Sequence, residues 1–573
     1  MGSVESTKSS PKVHRYRRRT STGDSSGPGS PRSPAQFIHY IGLTLSKMSE
    51  AAMLPTTRGM SRVQRFGTRG STDEFSMISR QGSHVSGQLE KRQAVLENRR
   101  HVSNLRFLLR QPYLAAMPLD QMPLLVCACT EEHFEQGQEV LKKGEYGDAF
   151  FIILSGQARQ AGTDKDKTPT ILTSGMYFGE DALCREPCRV RVTALTSLSA
   201  LEVSRGALQQ QGLLQQLVDI VNAPRRQHGR AQTLPSLPPL PTRRIAKEEL
   251  HRVRTLGRGG FGTVELMVHG STGEAFALKS LSKASVVRTH ATAAVFDERD
   301  ALRLTKSPFI VKLHATYSDE NRIYFLMEPA LGGTLHDIYK SEGFYGSTEH
   351  AKYYLAGALL ALEHLHQRRL VYRDLKPDNL LLDQHGCPKL ADMGFAKFVV
   401  GVTFTRCGTP DFMAPELVQK QPHSQAVDWW SFGVMAFYLM SGSLPFRGKD
   451  LEEIFSRVVS GIQNVLFPAR CQGPVGELIA ALLCHEPDDR LPMSEGVEGI
   501  KIHRWYAGFG WQLMTRWQLP PPYVPAALDS DLADLVQDAA AAPAPASTVE
   551  PEEIHASNTC ASSVTAWDKG FEL

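Results

Sequence analysis

The sequence predicts a multidomain α+β chain, and three observations carry that reading. A run of short strands is broken by glycines, a longer stretch passes from strands to helices, and an N-terminal arm is too polar to bury a core. The 573 residues leave room for three or four domains. The composition divides them into a basic arm over 1–85, a helix and linker over 86–103, and a small β-barrel with flanking helices over 104–222. A proline-rich linker over 223–248, a larger domain over 251–506 and an extension over 507–573 follow.

The arm is rich in Ser, Gly, Thr and Arg and lacks apolar periodicity, so it is predicted to be disordered. It opens Met1-Gly2-Ser3-Val4-Glu5-Ser6, which fits an N-myristoylation pattern with Gly2 as acceptor. Lys8, Lys12, Arg15, Arg17, Arg18 and Arg19 follow, and one acyl chain plus a basic patch is the pairing that stable anchoring requires. The expectation is a cytoplasmic chain held at a membrane surface. The alternative is a basic tail with Arg18-Arg19-Thr20-Ser21 as a phosphorylation site. No run of 18 apolar residues occurs, which argues against a transmembrane helix. The net charge of +4 is small for this length and announces no nucleic-acid partner. Nine cysteines without a CxxC pair predict reduced thiols.

Helical spacing runs from Gln88 to Leu109, and Gly144, Gly147, Gly156, Gly175 and Gly179 then punctuate the short strands. The segment from Leu234 to Arg244 reads as a semi-rigid proline-rich spacer. In the larger domain Gly257, Gly259, Gly262 and Val264 form GxGxxGxV between two strand-like runs, where missing side chains let backbone amides close over phosphates. Lys279 follows in Ala275-Phe-Ala-Leu-Lys279, suited to the α- and β-phosphates, with Glu298 as its ion-pair partner. Leu256, Met327 and Glu328 are assigned to the same ATP site.

The run Tyr372-Arg-Asp-Leu-Lys-Pro-Asp-Asn379 sets the catalytic groups: Asp374 to orient a hydroxyl, Lys376 to neutralise the moving phosphoryl group and Asn379 to hold magnesium. Asp392, in Asp392-Met-Gly394, supplies the second magnesium carboxylate, and Met393 stands where an aromatic is usual. Thr409 is placed to support Asp374, and Thr405 is an activation-segment phosphosite whose phosphate can pair with Arg373. Asp428, Trp430, Gly433 and Arg490 read as scaffold, with Arg490 the partner of Glu416. By resemblance to the eukaryotic protein kinases, whose motifs these are, Asp378 lies where related kinases hold an acidic residue for substrate arginines and Thr334 replaces a glutamate often used for the same purpose, so a basophilic but relaxed preference is expected.

Over 251–506 the chain resembles the eukaryotic protein kinases, with every catalytic motif in order. Tyr372, the run Lys501–Trp511, Pro520–Pro525 and the ending Trp567-Asp-Lys-Gly-Phe571 are similar to the cyclic-nucleotide-dependent branch, and closest to its cyclic GMP-dependent members. The resemblance implies a bilobal kinase fold, magnesium-ATP as donor, serine/threonine acceptors near basic residues, and an AGC-type extension. Gly144–Gly156 and Phe178-Gly-Glu-Asp-Ala-Leu183 with Arg189 resemble a cyclic-nucleotide-binding barrel and its phosphate cassette. There Glu180 can accept from the ribose 2′-hydroxyl, Arg189 can bind the cyclic phosphate, and Gly179 offers a backbone amide. Val190 cannot donate to guanine, so a preference for cyclic GMP over cyclic AMP rests on the family and not on the pocket. Arg191 either crowds the pocket or adds charge to it. One such domain is visible where animal relatives carry two, so cooperativity within one chain is not expected. Arg243-Arg-Ile-Ala246 and Arg17-Arg-Arg-Thr20 each have the form of a pseudosubstrate. Two other readings stay open: an active kinase with an orphan nucleotide-binding domain, and a membrane-tethered, inactive kinase-like sensor or scaffold.

Overall fold

The computed structural model describes residues 73–162, 168–227, 245–258, 262–526, 567–568 and 570–572, with backbone alone for 73–87 and 222–227. Gly2 and its basic cluster, Gly259, the proline-rich segment and Arg243-Arg244 lie outside the described residues.

Helix α1 (Asp73–Leu108) begins well before the expected Gln88, so helix replaces the last part of the arm drawn over 1–85. Its buried side chains are Ala94, Asn98, His101, Leu105 and Leu108, one stripe with steps of three and four. Two members are polar, and both face the larger domain.

After α2 (Met122–Cys127) come eight short strands: β1 (Cys129–Phe134), β2 (Glu139–Leu141), β3 (Ala149–Ser155), β4 (Ala158–Gln160), β5 (Thr170–Leu172), β6 (Tyr177–Phe178), β7 (Val192–Ala194) and β8 (Leu198–Ser204). They pair as two antiparallel sheets, β1-β8-β3-β6 and β2-β7-β4-β5, rather than as one continuous ladder. The sheets share one apolar core built on Leu141, Phe151, Ile153, Phe178, Val192 and Leu198. Helices α3 (Arg205–Gln210) and α4 (Leu214–Gln227) close this half, α4 running past the expected boundary at 223.

The small lobe of the second half is a five-stranded antiparallel sheet, β12-β13-β11-β10-β9, built from β9 (Leu250–Arg258), β10 (Gly262–His269), β11 (Ala275–Ser282), β12 (Leu313–Ser318) and β13 (Arg322–Met327). Between β11 and β12 lie α5 (Lys283–Arg288) and α6 (Thr292–Arg303), the helix that carries Glu298. The large lobe gathers around α7 (Leu335–Glu342), α8 (Thr348–Gln367), α9 (Pro415–Val418) and α10 (Ala426–Ser441), with Trp429, Trp430 and Phe432 of α10 fully buried. Ala246 lies at the outer edge of the small lobe: Ile245 O accepts from Tyr317 Oη at 2.8 Å and Ala246 N donates to Glu249. That location is a linker's, away from the cleft.

Trp567, Asp568 and residues 570–572 dock on the small lobe. Phe571 is fully buried between Phe296 and Phe325, and Arg299 donates to the carbonyls of Gly570 and Phe571. Lys283 pairs with Asp568 at 2.6 Å. The eight described cysteines are all free thiols. No helix among the described residues is long and apolar enough to cross a membrane.

The two halves touch. Arg368 donates to Asp120 O at 2.8 Å, Arg106 of α1 pairs with Asp300 of α6 at 3.6 Å, and the His101 ring lies against Phe398. Burial, then the nearby Arg369, lowers His101 to a pKa of about 4; burial, then Arg373, does the same to His423. Both are therefore neutral when folded, and the unfolded chain takes up their protons first as pH falls. Their stability contribution is complete above the ordinary 6.5 and is lost between 6.5 and 4, by about 2 kcal/mol each at pH 5. Denaturant unfolding at pH 7.5 and 5 should show this slope, and His423→Gln should flatten it by its share.

Arg490 is wholly buried and meets Glu416 through both terminal nitrogens at 2.7 and 2.8 Å. Arg490→Ala leaves the Glu416 carboxylate without its counter-ion and is expected to destabilise the large lobe by about 3–5 kcal/mol, read as a lowered denaturation midpoint at constant slope.

Candidate active site

Val264 pairs with Gly257 on one side and with Lys279 on the other, so the strands that flank the glycine-rich run stand beside the lysine. Gly262 is fixed by packing: a Cβ there would stand 1.7 Å from Ser280 O. Lys279 Nζ donates to Glu298 at 2.6 Å and to Asp392 at 3.3 Å. Burial opposes the ammonium charge, and Asp392 with Glu298 outweighs it, so Lys279 is held above its ordinary range. Lys279, ahead of the opposing burial, keeps the Asp392 carboxyl below its usual range.

The catalytic loop is set by Asp428 of α10, which has no solvent exposure and accepts from Tyr372 N at 2.9 Å, Arg373 N at 2.6 Å and His366 Nε2 at 2.7 Å. This holds Arg373 at a left-handed φ of 70°; Asp392 is likewise left-handed at 53°. Asp374 follows, buried, accepting from Thr409 N at 2.8 Å, Thr409 Oγ1 at 2.6 Å and Lys376 Nζ at 2.9 Å. Burial raises its carboxyl, with Lys376 and Thr409 opposing. Lys376 also donates to Thr409 Oγ1 at 2.7 Å. Asn379 spends its amide nitrogen on Asp374 O and Oδ2, both at 2.9 Å, which leaves its oxygen as the atom able to ligate a cation. That oxygen and the Asp392 carboxylate are hard donors of the kind magnesium takes.

One cavity of about 2490 Å³ is lined by Leu256, Gly257, Gly262, Val264, Lys279, Glu298, Met327 and Glu328 together with Asp374, Lys376, Asp392, Thr405 and Thr409. Asn379 sits behind Asp374, and Asp378 is exposed. Glu328 already accepts from Lys389 at 3.1 Å and from Lys312 N at 3.1 Å, which marks its carboxylate as a support for the strand edge. Met393 is fully buried. Thr334 caps α7 through Asp337 N at 3.0 Å. Arg373 Nη1 donates to Thr405 O at 3.3 Å, and Lys397 Nζ reaches Thr405 Oγ1 at 3.5 Å, a second cation that the motif reading missed.

In the first half Gly179 takes a φ of 80° and opens the short helix Glu180–Cys184. Arg189 lies among three carboxylates: it donates to Glu186, meets Asp181 at 3.4 Å and feels Glu180. Its backbone N also donates to Asp181, at 3.1 Å. The cassette motif gives Asp181 a backbone role only, and Glu186 lies outside it; their acidic character near the arginine is the signal that marks both side chains. Val190 packs on the apolar core, and Arg191 turns to Glu139 at 2.7 Å instead of crowding the pocket.

Residues 250–505 match the protein kinase domain family, and residues 131–212 match the cyclic nucleotide-binding domain family. The cGMP-dependent protein kinase egl-4 of Caenorhabditis elegans is 32% identical over 450 residues, 74% of this chain and 57% of its own length. Its Caenorhabditis briggsae counterpart is 33% identical over 450 residues, 74% of this chain and 59% of that one. The human cGMP-dependent protein kinase 2 is 31% identical over 449 residues, 73% of this chain and 59% of its own. The chain thus spans under two thirds of the length of these relatives. Its matches place a cyclic nucleotide-binding domain before a protein kinase domain, and across both it is similar to the cyclic GMP-dependent protein kinases.

Proposed function

We propose that the chain is a serine/threonine protein kinase that transfers the γ-phosphate of ATP to proteins carrying basic residues near the acceptor, and that cyclic GMP, in preference to cyclic AMP, activates it. The observation that carries the phosphotransfer half is the closed set of contacts joining Asp374 to Lys376, Asn379 and Thr409 while Lys279 meets Glu298 and Asp392. Relatives named as cGMP-dependent kinases support the nucleotide half.

In this reading Lys279 holds the α- and β-phosphates with its charge fixed by Glu298, and Gly257, Gly259 and Gly262 close the strand turn over them. Asn379 and Asp392 would hold magnesium, which would supply charge neutralisation at the phosphates. Asp374 accepts the hydrogen bond of the incoming hydroxyl and orients it, and Lys376 neutralises the transferred group. Leu256 and Met327 pack on the adenine, while Asp378 meets substrate arginines. Phosphate on Thr405 pairs with Arg373 and Lys397 and orders the segment that holds Thr409. Glu180 takes the ribose hydroxyl, Gly179 offers its amide, Arg189 takes the cyclic phosphate, and Val190 forms the apolar wall. The domain limits inferred from composition, with the kinase domain at 251–506, belong to the same proposal. So does tethering at a membrane through acylated Gly2 and the basic cluster after it; Gly2→Ala should release the chain from vesicle pellets.

Wild type should phosphorylate an arginine-containing peptide in magnesium-ATP, and Asp374→Asn should lower kcat by about 100- to 10,000-fold with little change in ATP affinity. No activity in the wild type would overturn the kinase reading. In titrations of cyclic GMP binding, Arg189→Ala should weaken affinity about 10- to 100-fold, the worth of a charge-assisted bond. Glu186→Gln should strengthen it, because Arg189 then leaves a neutral partner to reach the phosphate.

A further inference from the structure

Helix α1 lies outside the kinase domain, yet the buried stripe that it turns toward that domain carries an asparagine. Asn98 is 7% exposed. Burying an amide in that stripe is unfavourable unless both its polar atoms are matched, and they are. Val400 N donates to Asn98 Oδ1 at 2.6 Å, and Asn98 Nδ2 donates to Val402 O at 2.9 Å. These residues belong to the segment between Asp392 and Thr409. Its backbone is pinned on one side where Val399 N meets Arg369 O and on the other where Thr403 pairs with His423. Between those anchors the chain turns through Gly401 at a φ of 87°, and the Asn98 amide spans the turn.

The neighbours of Asn98 point the same way. Lys91 lies over the Phe404 ring, and Arg106 reaches Asp300, two residues beyond Glu298. The far end of α1 is continuous with the nucleotide-binding half, where Leu105 and Leu108 share a core with Leu125 and Val126. One rigid element therefore touches the nucleotide-binding half, the helix of Glu298 and the activation segment.

We propose that Asn98 is a positioning residue for phosphoryl transfer: by holding the turn Val400–Val402 it makes the order of the activation segment depend on the docking of a helix from the nucleotide-binding half. This rests on the kinase reading above. Loss of the clamp frees the turn and leaves Lys279 and the ATP site untouched, so kcat falls while the KM for ATP stays.

The test compares full-length wild type, Asn98→Ala and Asn98→Asp by amide hydrogen exchange and by steady-state peptide phosphorylation. The aspartate still accepts from Val400 N but cannot donate to Val402 O. For Asn98→Ala, exchange across 400–405 should rise about tenfold and kcat should fall about tenfold, the scale of two lost hydrogen bonds partly replaced by water. Exchange in β1 and β8 and the KM for ATP should stay unchanged, and Asn98→Asp should fall between wild type and alanine. If Asn98→Ala fails to fold, the aspartate variant carries the comparison alone. Wild-type exchange and wild-type kcat in the variants would overturn the proposal. An inactive wild type that still shows the exchange difference would instead overturn the kinase reading and leave the clamp standing.

Discussion

The Asp428 carboxylate is the interaction on which the rest of the active half depends. It sits on α10 without solvent exposure and its partners include two consecutive backbone amides and one imidazole. A buried carboxylate is tolerated only when hydrogen-bonded, and these donors stabilise it while fixing the path of the loop. Arg373 is driven into a left-handed conformation that a side-chain-bearing residue adopts at a cost of about 1–3 kcal/mol. That turn throws Asp374 toward the cleft and the Arg373 guanidinium toward the activation segment.

From that point the geometry propagates outward by short contacts. Arg373 Nε reaches Phe395 O at 2.8 Å and Nη1 reaches Thr405 O, so the start and the middle of the segment are tied to the loop. Asp374 binds the far end through Thr409. The small lobe contributes Lys279, whose two carboxylate partners come from α6 and from the segment start, so three elements must be in register at once. The aromatic chain end braces the back of α6 through Phe296. An arrangement with so many shared members is switched by small displacements of any one of them, which is why a helix docked on the segment carries leverage.

The catalytic half was legible in the sequence because its chemistry needs particular residue types at short, fixed spacings. Asp374, Lys376 and Asn379 fall within six positions, and the structure brings them together with Lys279, Glu298 and Asp392. Of the five glycines read as strand breaks, Gly144, Gly156, Gly175 and Gly179 were readable for a related reason, since they sit at positive φ, whereas Gly147 does not. What stayed hidden is long-range or context-bound. Asn98 meets residues more than 300 positions away. The early start of α1, the pairing of Arg189 with Asp181 and Glu186, and Lys397 beside Thr405 leave no periodic trace. Glu328 and Thr334 show the converse: residues read for a ligand or substrate already have structural work, on Lys389 and Lys312 N and as a helix cap.

The regulatory half adds a constraint of its own. Arg189 is surrounded by Glu186, Asp181 and Glu180, so under the proposed function an incoming cyclic phosphate competes with carboxylates for the same guanidinium. The most direct measurement is the initial rate of peptide phosphorylation by the full chain at saturating magnesium-ATP while cyclic GMP is titrated. The account predicts a saturable rise in rate at lower concentrations of cyclic GMP than of cyclic AMP. A rate that stays constant across both titrations, with the enzyme active throughout, would contradict it.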